Sequence, residues 1–321
     1  MRGVEIMEVS RQIDYIHLPE KTVLGGDKYI IERRLTDRSN MSIVYLARDQ
    51  EGSQVVIKEF YPKNMALRDL DGTSVVCKQR STKKKFQKRK ELFLNEAKIM
   101  ADLDEINNIA VCKDYFEENN TVYLVSDYYS GPTLEEIISD GDMEMDSFLD
   151  DIYFPLLKAV RRIHKKNYIH RDIKPSNIIL TKKGPVLIDF GSAINYKRTD
   201  TKKIFLTPGF SPIEFYSEKA EQGSFSDIYS LAAILYYYLE KIVPEEAVNR
   251  IIEDDLENIK ATDFDISREL KKLIVDNLSL DKKKRCKSVR LLQLRLYKDY
   301  IRMKIRSYLP ERQILHKLFN S

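Results

Sequence analysis

The chain has 321 residues, 43% of them apolar and 32% charged, a length that suits two lobes and a composition that supports a core and argues against disorder. The net charge of +4, from 54 basic and 50 acidic residues, is too small to argue for nucleic acid as a partner. No run of about 18 apolar residues occurs, so no transmembrane segment is expected.

In chain order, residues 1–28 read as a leader with a Gly25-Gly26 turn near its end. The stretch MRGVEIMEVSRQIDYIH mixes acidic and polar residues into its apolar ones and is not a secretory signal, so a cytoplasmic location is expected. Strand-like runs follow at 29–35, 43–48 and 54–60. Between the first two lies a polar turn, within LTDRSNMSIVYLA (35–47). Hairpin loops usually carry Gly or Asn-Gly, and this one has no glycine. The basic run KQRSTKKKFQKRK (78–90) reads as a solvated loop and helix start. Its sharper reading is a docking patch for an acidic partner. Residues 85–103 have helical spacing, with Phe86, Leu92, Phe93, Ala97, Met100 and Leu103 along one stripe.

Two more strand-like runs, 110–116 and 121–128, precede a Gly131-Pro132 break. From Thr133 onward helical patterns dominate, at 134–138, 148–164, 226–239, 268–278 and 288–305. A small β-rich half thus precedes a larger α-rich half, an α+β arrangement. The tail, 297–321, is basic and partly amphipathic. It reads as a last helix packed on the domain, with an anionic surface as the other reading. Cys77, Cys112 and Cys286 lack metal spacing and read as free thiols in a reducing compartment.

The stretch YIHRDIKPSNIIL (168–180) carries the strongest chemical signal. Asp172 and Asn177 lie five residues apart with Lys174 between them. Asp189-Phe190-Gly191 follows, directly after the apolar run VLI. Two acids and an amide at the ends of short strands make a hard-cation site with a spare base, and such oxygen ligands suit magnesium.

Here the chain resembles the eukaryotic-type serine/threonine protein kinases. The H-R-D-[IL]-K-P-x-N loop followed by D-F-G is highly specific. VVIKEF supplies the strand lysine Lys58, and FLNEAKIM the helical glutamate Glu96. TPGFSPIE (207–214) resembles the end of an activation segment, and LSLDKKKRCKS (278–288) the closing motif in which Arg285 matches the arginine that pairs with Glu214. IKEFYP with a downstream arginine, PVLIDFGSA and PGFSPIEFY are similar to a group of bacterial serine/threonine kinases that typically reads IKEYFP, IDFGSA and PGYAPIEQY.

The resemblance implies a bilobal fold: leader 1–28, small lobe and hinge 29–129, large lobe 130–296 and basic helical tail 297–321. It implies ATP and Mg2+ (or Mn2+) as cofactors and protein serine or threonine hydroxyls as acceptors. Lys58 would hold the α- and β-phosphates, and Glu96 would hold Lys58. Asp172 would accept the substrate proton, Lys174 would steady the transferring phosphate, and Asn177 and Asp189 would hold the metal ions. The backbone from Asp127 to Tyr129 would meet the adenine, with Ser126 behind it. Val44 and Ile179 complete the nucleotide pocket. Val56 stands where alanine is usual and would press on the adenine face.

By the same resemblance Met100, Cys112, His170 and Phe190 match a stacked spine anchored by Asp227. Thr207 fits the threonine usual in this class. Arg171 precedes the catalytic Asp172; kinases with this arginine often need a phosphate on the activation loop, where Thr199 and Thr201 are the candidates. The glycine positions of the phosphate loop fall on Asp37, Ser39 and Ser42, with Met41 at the tip. Asp37 adds a negative charge, with Arg38 as a partial offset. The expectation is a stiff lid with poor ATP affinity. Two other readings stay open. A pseudokinase scaffold is supported by that loop and by Val56. A small-molecule phosphotransferase is opposed by Lys174, Thr207 and the P-I-E ending.

Overall fold

The structure is a computed structural model that describes residues 16–37, 39–141, 143–198, 204–254, 256 and 266–308. They divide into two compact units: residues up to 105 together with 110–129, and 106–109 together with 130 onward.

The small unit is built on one sheet. Its strands are β1 (Val23–Leu24), β2 (Tyr29–Thr36), β3 (Ser42–Asp49), β4 (Gln54–Phe60), β7 (Cys112–Glu118) and β8 (Thr121–Asp127), in the order β1-β2-β3-β4-β8-β7. Every neighbouring pair is antiparallel. The expected strand at 54–60 coincides with β4, and the others agree within two residues at each end. Strand β4 alternates clearly: Val55, Ile57 and Glu59 are buried, while Val56 and Lys58 are half-buried. That period of two puts Val56 and Lys58 on one face. The register sets Val44 opposite Lys58, and Leu46 opposite Val56.

A second hairpin, β5 (Ala66–Arg68) with β6 (Val75–Cys77), was not expected from the sequence. The backbone N–H of Val75 ties it to Asn119 O at 2.8 Å. Arg68 reaches from this hairpin to the buried Glu59 in a two-pronged pair, with both N···O distances 2.7 Å. The Tyr45 and Tyr123 hydroxyls donate to the same carboxylate at 2.9 and 3.1 Å. Arg68 also donates to the Ile16 carbonyl, and Leu18 N–H donates to the Tyr45 hydroxyl at 3.0 Å, so the described end of the leader is fastened to the unit. Helix α1 (Lys83–Asp102) completes the unit, packing Phe86 and Phe93 against Phe60 with ring centroids 5.2 and 5.6 Å apart.

The large unit is mostly helical. Helix α2 (Leu134–Asp140) opens with a Thr133/Glu136 capping box, a reciprocal pair that satisfies two free backbone donors. Helix α3 (Phe154–Lys165) follows a short π-type lead-in at Phe148–Tyr153. Helix α4 (Ser224–Glu240) is apolar nearly all round and is accordingly buried on most sides. Helices α5 (Arg268–Asn277) and α6 (Val289–Tyr308) close the unit, and α6 runs past residue 297, where the tail was expected to begin. Short antiparallel pairs join β9 (Tyr168–Ile169) to β12 (Ile194–Asn195), and β10 (Ile178–Thr181) to β11 (Gly184–Leu187). Gly131 is required here: a Cβ there would lie 2.0 Å from the Leu180 carbonyl oxygen. Among the described residues no helix is long and apolar enough to cross a membrane.

Candidate active site

In the small unit, Lys58 Nζ donates to both Glu96 oxygens, at 2.9 and 3.1 Å. Glu96 is buried on α1, and Lys58 also lies 5.7 Å from the Phe93 ring centroid. The pair therefore forms inside one unit, strand to helix. The half-buried Val44, Val56 and Ser126 are on the neighbouring strands, with Val56 opposite Ser126 and Ser126 opposite Cys112. Asp127 ends β8 and faces Lys113 at 3.5 Å; the Tyr129 hydroxyl accepts from Val111 N at 3.1 Å. Met100 is buried and Cys112 is half-buried; burial pushes the Cys112 thiol up to about 11.

The glycine-free loop is fastened to its own unit at Asp37, Asn40 and Met41. Asp37 faces His17 at 3.2 Å, Arg34 at 3.6 Å and Lys63 at 3.7 Å. Lys63 Nζ also donates to the Asp37 carbonyl. Burial pushes the Asp37 carboxyl up, but His17, Lys63 and Arg34 together hold it below its ordinary value. The offset expected from Arg38 falls outside the described residues; His17, Arg34 and Lys63 surround the carboxylate instead. Met41 O accepts from Tyr61 N at 2.9 Å, and Asn40 O from Lys63 N at 3.1 Å. Those bonds carry the β3–β4 pairing on into the loop. Ser39 Oγ accepts from Met41 N at 3.1 Å. Ser42 is not a loop residue but the buried first residue of β3, opposite Phe60.

In the large unit, the catalytic-loop motif converges on Asp172. The Thr207 hydroxyl donates to Asp172 Oδ1 at 2.7 Å, and the Asn177 side-chain amide to Oδ2 at 2.9 Å. Lys174 Nζ lies 3.0 Å from Oδ2 and 3.2 Å from Thr207 Oγ1. The amide N–H of Ile188 donates to Asn177 O at 2.9 Å, which places the segment leading to Asp189 beside Asn177. Asp189 is exposed and Ile179 half-buried on β10. Beneath the loop, the buried Asp227 accepts from the backbone N–H groups of His170 and Arg171, both at 2.9 Å, and faces His164 at 2.8 Å. His170 and Phe190 meet edge to face at 4.6 Å.

Arg171 and Asp189 hold left-handed backbone, with φ of 69° and 63°. Such strain costs a non-glycine residue on the order of 1 kcal/mol, and it clusters at functional sites. Arg171 is buried over the Phe215 ring, 5.3 Å from its centroid, and burial pulls its guanidinium down to about 10. Thr199 and Thr201 lie outside the described residues. Glu214 and Arg285 form a buried pair, with contacts of 2.7 and 3.2 Å. Sequence reasoning gave no structural role to Glu59, Arg68, His17, Lys63 or His164. Only the arginine downstream of IKEFYP left a signal.

Two units of this kind, with these motifs at these places, define the α+β protein-kinase fold. The chain belongs to the protein kinase family: the pattern of the protein kinase domain matches residues 41–296. It is 35% identical over 172 residues to the serine/threonine-protein kinase PknA of Nostoc sp., an alignment covering 50% of this chain and 30% of that protein. It is 33% identical over 234 residues to serine/threonine-protein kinase D of Synechocystis sp., covering 68% and 42% respectively. The chain thus spans less than half the length of these two curated relatives. Among solved structures it is similar to "PpkA-294 apo form", with a TM-score of 0.74, 30% identity, and 88% of this chain and 99% of that one covered.

Proposed function

We propose that the chain is a serine/threonine protein kinase that transfers the γ-phosphate of ATP to protein hydroxyls. The arrangement around Asp172 carries the reading: Thr207 and Lys174 lie on either side of the carboxylate that would take the acceptor proton. Phosphoryl transfer needs positioning and charge neutralisation more than covalent help. Lys58, oriented by Glu96, meets the α- and β-phosphates. Asp172 takes the hydroxyl proton as the bond to phosphorus forms, and Lys174 offsets the charge of the transferring group. The oxygens of Asn177 and Asp189 are hard donors that fit Mg2+ or Mn2+, which would neutralise phosphate charge there. By the family resemblance, Val56, Ser126 and the 127–129 backbone of the small unit would meet the adenine. Retention of Lys58, Glu96, Asp172, Asn177 and Asp189 argues against a pure scaffold.

Phosphoamino-acid analysis of a general acceptor protein tests the acceptor class. Phosphoserine and phosphothreonine are expected, and phosphotyrosine alone would overturn it. A phosphate on Thr199 or Thr201 that meets the Arg171 guanidinium belongs to the same proposal. Intact mass after incubation with ATP should rise by one or more phosphates and rise less in Thr199→Ala or Thr201→Ala. An unchanged mass in an active chain would exclude it.

A further inference from the structure

The basic run of the small unit is not absorbed by the chemistry above. Lys78, Arg80, Lys83, Lys84, Lys85 and Lys88 are all exposed. No acidic residue occurs between Asp71 and Glu91. Among the described residues, no carboxylate pairs with any of these six cations, whereas Lys90, at the end of the run, is buried against Glu117 at 2.9 Å. Of the run's eight basic residues, Lys90 is buried, Arg89 is half-buried and the other six are exposed, Lys78 also donating to the Lys63 carbonyl at 2.8 Å.

Its placement runs against local stability. Three lysines occupy the first turn of α1, where the helix dipole favours acids, and no acid is present there. Thr82 gives its hydroxyl to Gln79 O at 2.9 Å and makes no cap bond. Local rules broken in this way are expected where function requires it. The same helix is tied to both parts of the small unit's nucleotide machinery. Arg89 donates to the sulfur of Met41 at the loop tip, at 3.5 Å, and Glu96 holds Lys58 at 2.9 Å.

We propose that these six cations form a docking surface for an acidic protein segment, and that such a segment steadies α1 and with it the Lys58–Glu96 pair. The charge fits a run of carboxylates. The one aromatic of the run, Phe86, is buried against Phe60, so no ring faces solvent to stack on bases. No apolar face of the run is exposed to enter a lipid surface. The docking claim is independent of catalysis; its effect on transfer rests on the kinase reading above.

The test uses the full chain and a fluorescently labelled oligoglutamate peptide, read by anisotropy without ATP. Wild type binds, and the affinity falls as salt rises. Lys83→Gln/Lys84→Gln/Lys85→Gln weakens binding at least tenfold without lowering the unfolding temperature, since all three side chains are exposed. Equal binding by both proteins overturns the proposal, as does tighter binding of single-stranded DNA or of phosphatidylserine vesicles than of the peptide. In a second arm the peptide raises phosphate transfer in wild type and not in the triple variant. A peptide that binds without changing transfer overturns the coupling to α1. A chain with no transfer at all, but with triple-variant-sensitive binding, overturns the kinase reading and supports the docking.

Discussion

By the family resemblance Asp37 stands where a phosphate loop would have its first glycine, and the fold turns its charge onto its own unit. His17, Arg34 and Lys63 surround the carboxylate, so it is not an unpaired anion beside a phosphate site. Releasing the loop should tighten nucleotide binding. Asp37→Gly with Ser39→Gly is expected to lower the Kd for ATP several-fold by titration calorimetry; an unchanged or weaker affinity would contradict the latch. The substitution of Gly at 42 that the sequence suggests is the wrong test, because Ser42 is buried within β3 and glycine there weakens a strand. His17 could not be read in advance, because a lone histidine twenty residues upstream of Asp37 carries no pattern. His170 gives a pH prediction. Burial holds its imidazole below its ordinary value despite the carboxylates of Asp227, Asp172 and Asp189. A depressed histidine favours the neutral folded form, so its contribution is complete above about pH 6.5 and is lost as pH falls below that value. The unfolding temperature should fall from pH 7 to pH 5, and less steeply in His170→Phe. An identical slope in both would contradict the assignment.

The main strands and helices were legible because their periods are clean. β4 is a short β-branched run whose burial alternates from Gln54 to Glu59, and α1 keeps an apolar stripe through Phe86, Phe93, Ala97 and Met100. The β5–β6 hairpin was not legible. Its strands have three residues each, and one of its buried side chains is an arginine. Neither fact resembles the usual run of four to eight apolar residues. Only the structure shows that Arg68 sits opposite Glu59, one residue past Lys58. The Glu59 bonds and charge outweigh the cost of burying Arg68 and raise its pKa. Removing one partner strands a buried charge, which costs about 3–5 kcal/mol. Arg68→Ala should therefore unfold at markedly lower denaturant concentration. Arg68→Met with Glu59→Leu should recover most of the loss, because no charge then remains buried. A double variant as unstable as the single one would show that the pair does more than balance charge.

Across the whole chain, what sequence could recover was the order of the motifs. Glu214 and Arg285 are 71 residues apart and were paired by motif alone; in the structure they meet at 2.7 Å, with Ser226 donating to the same carboxylate at 2.9 Å. The pair ties the TPGFSPIE stretch to the segment between α5 and α6 of the large unit. Arg285→Ala is expected to lower the unfolding temperature by roughly 10 °C, from about 3 kcal/mol at this size. A shift within a degree of wild type would remove the pair from the account. What sequence could not recover are contacts made by residues outside any motif: the leader on the loop, the hairpin on the sheet, and the unpaired cations at the start of α1. All of these lie in the small unit. Under the proposed function, phosphate transfer turns on Asp172, where Thr207, Lys174 and Asn177 converge. Phosphate transfer from labelled ATP with magnesium to a general protein acceptor tests it most directly, comparing wild type with Asp172→Asn. Wild type should transfer phosphate, and the variant should lose at least about a hundredfold, the scale of a missing general base. Equal transfer by both proteins, or none by either, would contradict it.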